Sequence, residues 1–185
     1  MTATPATVQA SALSRFNSQT WQPSCLAING QGPNTTFDPN TNLYWFVVVS
    51  LKDLSFLVSV TSSDETSVPP QVAAYANNPE CFLFVIGNVL NGYNIPQGEL
   101  YSFLQATGAG AGLAELEQTI AQLGTGLIVS FSYVLAATMA QQDMPGFESW
   151  SLTDFAVLNM QFMPVQVDGQ WVYAPVQQFA ASAAT

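Results

Sequence analysis

Charge is what this sequence has least of. Of its 185 residues two are basic, Arg15 and Lys52, and twelve are acidic, so charged side chains make up 8% of the chain, where about a quarter is usual for a soluble domain. Histidine is absent. That removes a Ser-His-Asp triad, a Cys-His pair, an imidazole metal ligand and a histidine pH switch. Two cations against a formal net charge of -10 cannot neutralise a phosphate backbone, and the chain should be repelled by nucleic acid and by anionic membrane surfaces. Cysteine is scarce as well. Cys25 and Cys81 are enough for one disulfide or for two free thiols, and too few for a zinc site. The opening residues, MTATPATVQASALSRF, show neither a basic n-region nor an apolar h-region, so no signal peptide is visible. The longest uncharged stretch, 118–142, has a continuous apolar part of about 14 residues, short of the roughly 20 that cross a bilayer. Ser130, Ser132 and Thr138 interrupt it, and it reads as a buried strand with no membrane span.

What is present is apolar and neutral-polar. The hydrophobic fraction of 49% suffices for a sizeable core. Ser, Thr, Asn and Gln fill 58 positions, so the surface is polar but weakly charged. Interspersed Lys and Glu normally keep monomers apart. A surface without them belongs either to an acidic domain kept soluble by its net charge or to one covered by copies of itself or by sugar.

Residues 1–40 are rich in Ala, Thr, Ser, Asn, Gly and Pro and read as an extended or flexible N-terminal arm, with Phe16 and Trp21 as anchors for a neighbouring subunit. Residues 41–176 read as one α/β (α+β) domain, and 177–185 as a tail. LYWFVVVSL (43–51) and SFLVSVTS (55–62) predict a hairpin turning at Lys52-Asp53. A short helix follows Pro69-Pro70. CFLFVIGNVL (81–90) predicts a strand buried on both faces. Two helices flank Gly108-Ala109-Gly110-Ala111-Gly112, one carrying Leu100, Phe103 and Leu104, the other Leu113, Leu116, Ile120 and Leu123. LIVSFSYVLAATM predicts another strand. Asp168-Gly169 is the strongest hairpin signal in the chain.

From Trp45 to Met139 the chain resembles the interleukin-like EMT inducer (ILEI) domain family. WFVVVSLKDLSFLVSV is similar to that family's opening hairpin and CFLFVIGNVLNGYN to its central strand. ELYSFLQATGAGAGLAELEQTIAQLGTG resembles its helical section, and FSYVLAATM its closing strand. The longer NGYNIPQGE corner, the cysteine positions and the scarcity of charge around the helices depart from the family. The resemblance implies a single mixed-sheet, sandwich-like domain with no catalytic motif, in a family of secreted signalling factors and accessory modules of carbohydrate-active proteins, some of which bind glycans and some of which self-associate.

Individual motifs add little chemistry. The Gly-Ala repeat follows a helical pattern and has no basic neighbour, so it reads as a helix connection, not a dinucleotide turn. Asp38-Pro39-Asn40-Thr41-Asn42 begins like a calcium loop, but Leu43 and Val49 stand where glycine and a bidentate Glu belong, and a capped turn is expected. Calcium on Asp64 and Glu65 stays open. Glu115, Glu117, Asp143, Glu148 and Asp154 read as solvated acids instead of a glycosidase pair. Asn34-Thr35-Thr36 is a glycosylation sequon. Exposed aromatics would stack on sugars or anchor interfaces, and Tyr93, Phe147 and Trp150, in the NGYN corner and the MPGFESW loop, are the leading contact candidates. No catalytic residue, cofactor or metal is expected. The reading is a non-catalytic structural or interaction protein that self-assembles through its weakly charged surface, its arm and its strand edges. A carbohydrate-binding module is the alternative, and a small acidic hydrolase a distant one.

Overall fold

The computed structural model describes residues 4–12, 24–35, 37–38, 41–89, 94–123, 131–141, 144–152 and 155–177. The larger of two antiparallel sheets comprises β3 (Tyr44–Ser50), β4 (Phe56–Ser62), β5 (Cys81–Val89), β6 (Phe131–Thr138) and β7 (Phe147–Ser151), ordered β4-β3-β5-β6-β7. The smaller comprises β1 (Ala6–Ala12), β2 (Cys25–Ile28), β8 (Ala156–Val167) and β9 (Gln170–Gln177), ordered β2-β1-β8-β9. Helices α1 (Pro70–Ala73), α2 (Gly98–Ala106) and α3 (Ala111–Leu123) supply the remaining regular structure among the described residues. The chain is therefore mostly β, within the mixed, sandwich-like class its sequence predicts.

Two cores make three layers. Alternation along β5 sends Phe82, Phe84 and Ile86 to a core shared with the smaller sheet, and Leu83 and Val85 to a core shared with the helices. A strand covered on both faces needs no polar side, and all eight residues of β6 are buried. Phe162 of β8 locks the sheets together, its ring set edge-on to Phe82 and Phe84 at 5.1 and 6.4 Å. The helices cover one face of the larger sheet and the smaller sheet covers the other. No described element packs on the outer face of the smaller sheet.

The expected hairpins form. β3 and β4 pair across the Lys52-Asp53 corner. β8 and β9 turn at Asp168 and Gly169, whose φ values of 50° and 78° are the two left-handed conformations of a type I′ turn.

The N-terminal arm is corrected in part. Residues 6–12 form an inner strand, paired to β2 on one side and β8 on the other. Ala6, Val8, Ala10 and Ala12 are fully buried against Phe82, Phe84, Trp45 and their neighbours. Alanine has little strand preference of its own; here small side chains complete a layer whose volume the facing aromatics supply. Phe16 and Trp21, proposed as the arm's anchors, lie outside the described residues, as do 178–185 of the predicted tail. Cys25 on β2 and Cys81 on β5 are free thiols in different sheets, so the disulfide alternative does not form.

Two glycines bring the α2–α3 corner against the start of β7. Gly108, at φ 111°, accepts the Gly146 N–H on its carbonyl at 2.9 Å. A Cβ on Gly108 would lie 2.7 Å from the Gly146 nitrogen and 3.0 Å from the Met144 carbonyl oxygen, whereas one on Gly169 meets nothing within 4 Å. Gly108→Ala should therefore destabilise the fold by about 3 kcal/mol, strain plus overpacking, and Gly169→Ala by about 1 kcal/mol, strain alone. Urea unfolding of the two variants measures the difference.

Candidate functional site

The most organised polar site is built on Glu148. α3 begins with no acidic residue in its first turn, and the N–H groups there need acceptors. The Glu148 carboxylate supplies them from across the fold. Its Oε2 accepts the Gly110 and Gly112 N–H groups at 2.9 and 3.0 Å, and its Oε1 accepts the Leu113 N–H at 3.1 Å and the Tyr133 hydroxyl at 2.6 Å. The carboxylate also lies at the positive end of the helix dipole. Gly112 must lack a side chain, because a Cβ would stand 3.0 Å from that of Glu148. The Gly-Ala segment is thus an anion cradle whose anion is part of the chain, and Glu148 is not the solvated acid its sequence context suggests. The detectable signal was a glycine-lined helix start with no cap of its own.

Tyr133 belongs to a row across the larger sheet in which Tyr44 and Tyr133 flank Gly87 in register. Glycine there leaves room for the Tyr44 ring, which would stand 3.2 Å from a Cβ. The Tyr44 hydroxyl donates to the Asn94 carbonyl at 2.5 Å. Burial pushes both phenols well above their ordinary pKa, with Glu65 adding to the effect at Tyr44 and Glu148 at Tyr133.

The aromatic contact candidates are not brought together. Phe147 and Trp150 lie on strand β7, not in a loop, and are half-buried. They point to opposite sides: Phe147 packs on the core between the sheets, Trp150 on the helix core. The Trp150 indole N–H donates to Glu115 at 3.3 Å. Tyr93 lies outside the described residues. Asp38 closes a turn before β3, accepting the Thr41 and Asn42 N–H groups on its carbonyl. The Asp64 carboxylate accepts from Thr66 and from the Ser67 hydroxyl, and these bonds hold its pKa down to about 2. Among the described residues no three Cys, Asp or Glu side chains cluster to hold a metal ion, and no helix is long and apolar enough to cross a membrane.

The second feature is the outer face of the smaller sheet, on which no described element packs. Buried Ala6, Val8, Leu158 and Met160 alternate with outward-facing Thr7, Gln9, Val157, Asn159 and Gln161. Gln9 stands opposite Asn159 and Ala27, and Ser11 opposite Val157 and Cys25. A shallow groove of about 500 Å³ runs along this end of the face. Beyond Phe162 the β8–β9 hairpin projects, exposing Val165, Val167 and Trp171. Its free edge is partly closed. The Tyr173 N–H, directed away from β8, donates to the Leu51 carbonyl at 2.7 Å, and Pro175 removes the next donor along.

Glu148→Ala would strand three backbone donors and a buried phenol, costing about 3 kcal/mol in urea unfolding, and Glu148→Gln, which keeps an acceptor but loses the charge, about half of that. A folded phenol pKa above the unfolded value of about 10 means the folded state holds protons the unfolded chain releases. The resulting stabilisation is complete below pH 10 and is lost as pH rises beyond it. In an alkaline ultraviolet titration, Tyr44 and Tyr133 of the six tyrosines should ionise only as the chain unfolds.

No protein-family model matches this chain, and no curated protein is significantly similar to it.

Proposed function

We propose that this is a non-catalytic structural or interaction protein that assembles with copies of itself. One observation carries the reading. Of the nine strands among the described residues only β7 holds a charged residue, Glu148, and its carboxylate is turned onto the start of α3. The remaining acids among the described residues sit on helices, turns and loops, several with structural tasks: Glu80 pairs with Lys52 at 2.7 Å, Asp53 closes the β3–β4 corner through Ser55, and Glu115 meets Trp150. An acidic chain with net charge -10 thus presents sheet surface from which like-charge repulsion between copies is missing. The succession of hairpin β3–β4, α1, β5, α2, α3 and β6 follows the order that the ILEI resemblance implies, and supports a non-catalytic module of that type.

Glycan binding is the second reading, favoured by Trp171, which is 47% exposed on β9 and offers one face for stacking. Light scattering coupled to gel filtration separates the two. Self-assembly requires the mean mass to rise above 19.8 kDa with concentration. A mass fixed at the monomer value overturns it, and a monomer whose tryptophan fluorescence responds to an oligosaccharide, with the response lost in Trp171→Ala, would establish the glycan reading instead.

A further inference from the structure

We infer that two copies of this chain associate face to face through the outer face of the four-stranded sheet, stacking sheet on sheet; this rests on the self-assembly reading above. The strands of that sheet, of 7, 4, 12 and 8 residues, contain no Asp, Glu, Lys or Arg. At its centre lie the amides of Gln9, Asn159 and Gln161, flanked by Val157 and Cys25. An amide both donates and accepts, so this surface is complementary to a second copy of itself, as a two-fold interface requires. A charged ligand, a nucleic acid or an anionic lipid would find no counter-charge on these four strands.

Electrostatics selects the same face. Helices α2 and α3 carry Glu99, Glu115 and Glu117, and the corners of the larger sheet carry Asp53, Asp64, Glu65 and Glu80. Copies meeting through those surfaces bring acid against acid, and the smaller sheet spares them that cost. The edges favour stacking over ladder extension. β2 is four residues long and β9 is closed at Tyr173 and Pro175, so neither offers a long free ladder, whereas two faces can approach to about 10 Å and interdigitate.

The area sets the strength. At about 3.3 Å per residue and 4.8 Å between strands, the sheet presents about 500 Å² per copy. Two copies bury about 1,000 Å², the lower limit for a specific contact and well under the standard 1,600 Å². The association should be weak and concentration-dependent, with a dissociation constant on the order of micromolar or above.

The test uses the intact chain. Asn159→Asp changes one exposed amide to a near-isosteric acid and places like charges in both halves of the proposed contact; Gln118→Glu makes the equivalent change on the exposed side of α3. Far-ultraviolet circular dichroism verifies that both variants are folded. Light scattering should show dimerisation weakened at least about tenfold by Asn159→Asp and within about twofold of the parent for Gln118→Glu. The native thiols give an independent readout, since Cys25 lies on the face while Cys81 is buried. Maleimide labelling of Cys25 should slow as parent concentration rises through the dimerisation range and stay fast in Asn159→Asp. An oligomer that persists unchanged in Asn159→Asp, with Cys25 labelled at the same rate at every concentration, overturns the face while leaving self-assembly standing. A parent that stays monomeric overturns both.

Discussion

The Glu148 carboxylate is the tie on which the arrangement of layers depends. It stands on the last strand of the larger sheet, just before the chain crosses to the smaller one, and reaches the first turn of α3 and the Tyr133 hydroxyl of the adjacent strand. One ionised group thereby joins the edge strand, its neighbour and the helix layer. An ionised acceptor is about twice as strong as a neutral one, and this one satisfies donors that no nearby residue could. The glycines belong to the same device: Gly110 and Gly112 open the cradle, while Gly108 and Gly146 bring β7 close enough to fill it. With β7 fixed, the start of β8 is fixed too, helped by the Ser149 hydroxyl that accepts the Val157 N–H at 3.2 Å.

Having its one strand charge engaged internally leaves the molecule with an uneven electrostatic surface. Among the described residues the other acids lie on helices, turns and loops; the strands are apolar inside and neutral-polar outside. In the larger sheet this has little external consequence, because its central strands β3 and β6 are buried on both faces. In the smaller sheet the inner face packs on aromatics, and the outer face shows amides, hydroxyls and valines. The hydrophobic contribution of such a face is modest, since about half its outward positions are polar. Its distinctive property is that its strands carry no charge to repel an identical surface.

Much of the larger sheet was legible in the sequence, and the smaller one much less so. The β3–β4 hairpin, the doubly buried β5 and β6, the two helices around the Gly-Ala segment and the turn at Asp168-Gly169 all follow from local signals: β-branched runs, helical spacing, and glycine where φ must be positive. β1 was obscured because ATVQASA has the composition of a linker, although its strict alternation of buried and exposed positions is a strand period. Its alanines make sense only opposite Phe82 and Phe84, which lie seventy or more residues away. β7 was obscured because a glutamate in a short segment after Met-Pro-Gly looks like loop. The role of that glutamate depends on a helix that begins over thirty residues earlier, a relation that local pattern does not encode. Composition predicted scarce charge; topology determined which faces it would leave bare.

Where the sheets are closed bears on how far association can grow. Two-fold stacking uses the same face on both copies and is complete at two, because each face is then covered. Growth into a filament or lattice needs a second surface of different address. Strand-by-strand extension along β9 is hindered by Pro175 and by the bond from Tyr173 to Leu51. The projecting end of the β8–β9 hairpin is different: Val167 and Trp171 lie beyond the support of the sandwich, and a groove of about 430 Å³ lies between the hairpin and the end of the larger sheet, with Met144, Val165 and Val172 in its walls. Val167 belongs to both the tip and the wall of this groove, and the Lys52–Glu80 pair lines its other side, so the hairpin end forms one continuous surface distinct from the uncharged face. If copies pair through the uncharged face, growth beyond the pair calls for a different surface, and among the described residues the exposed hairpin end is one such surface.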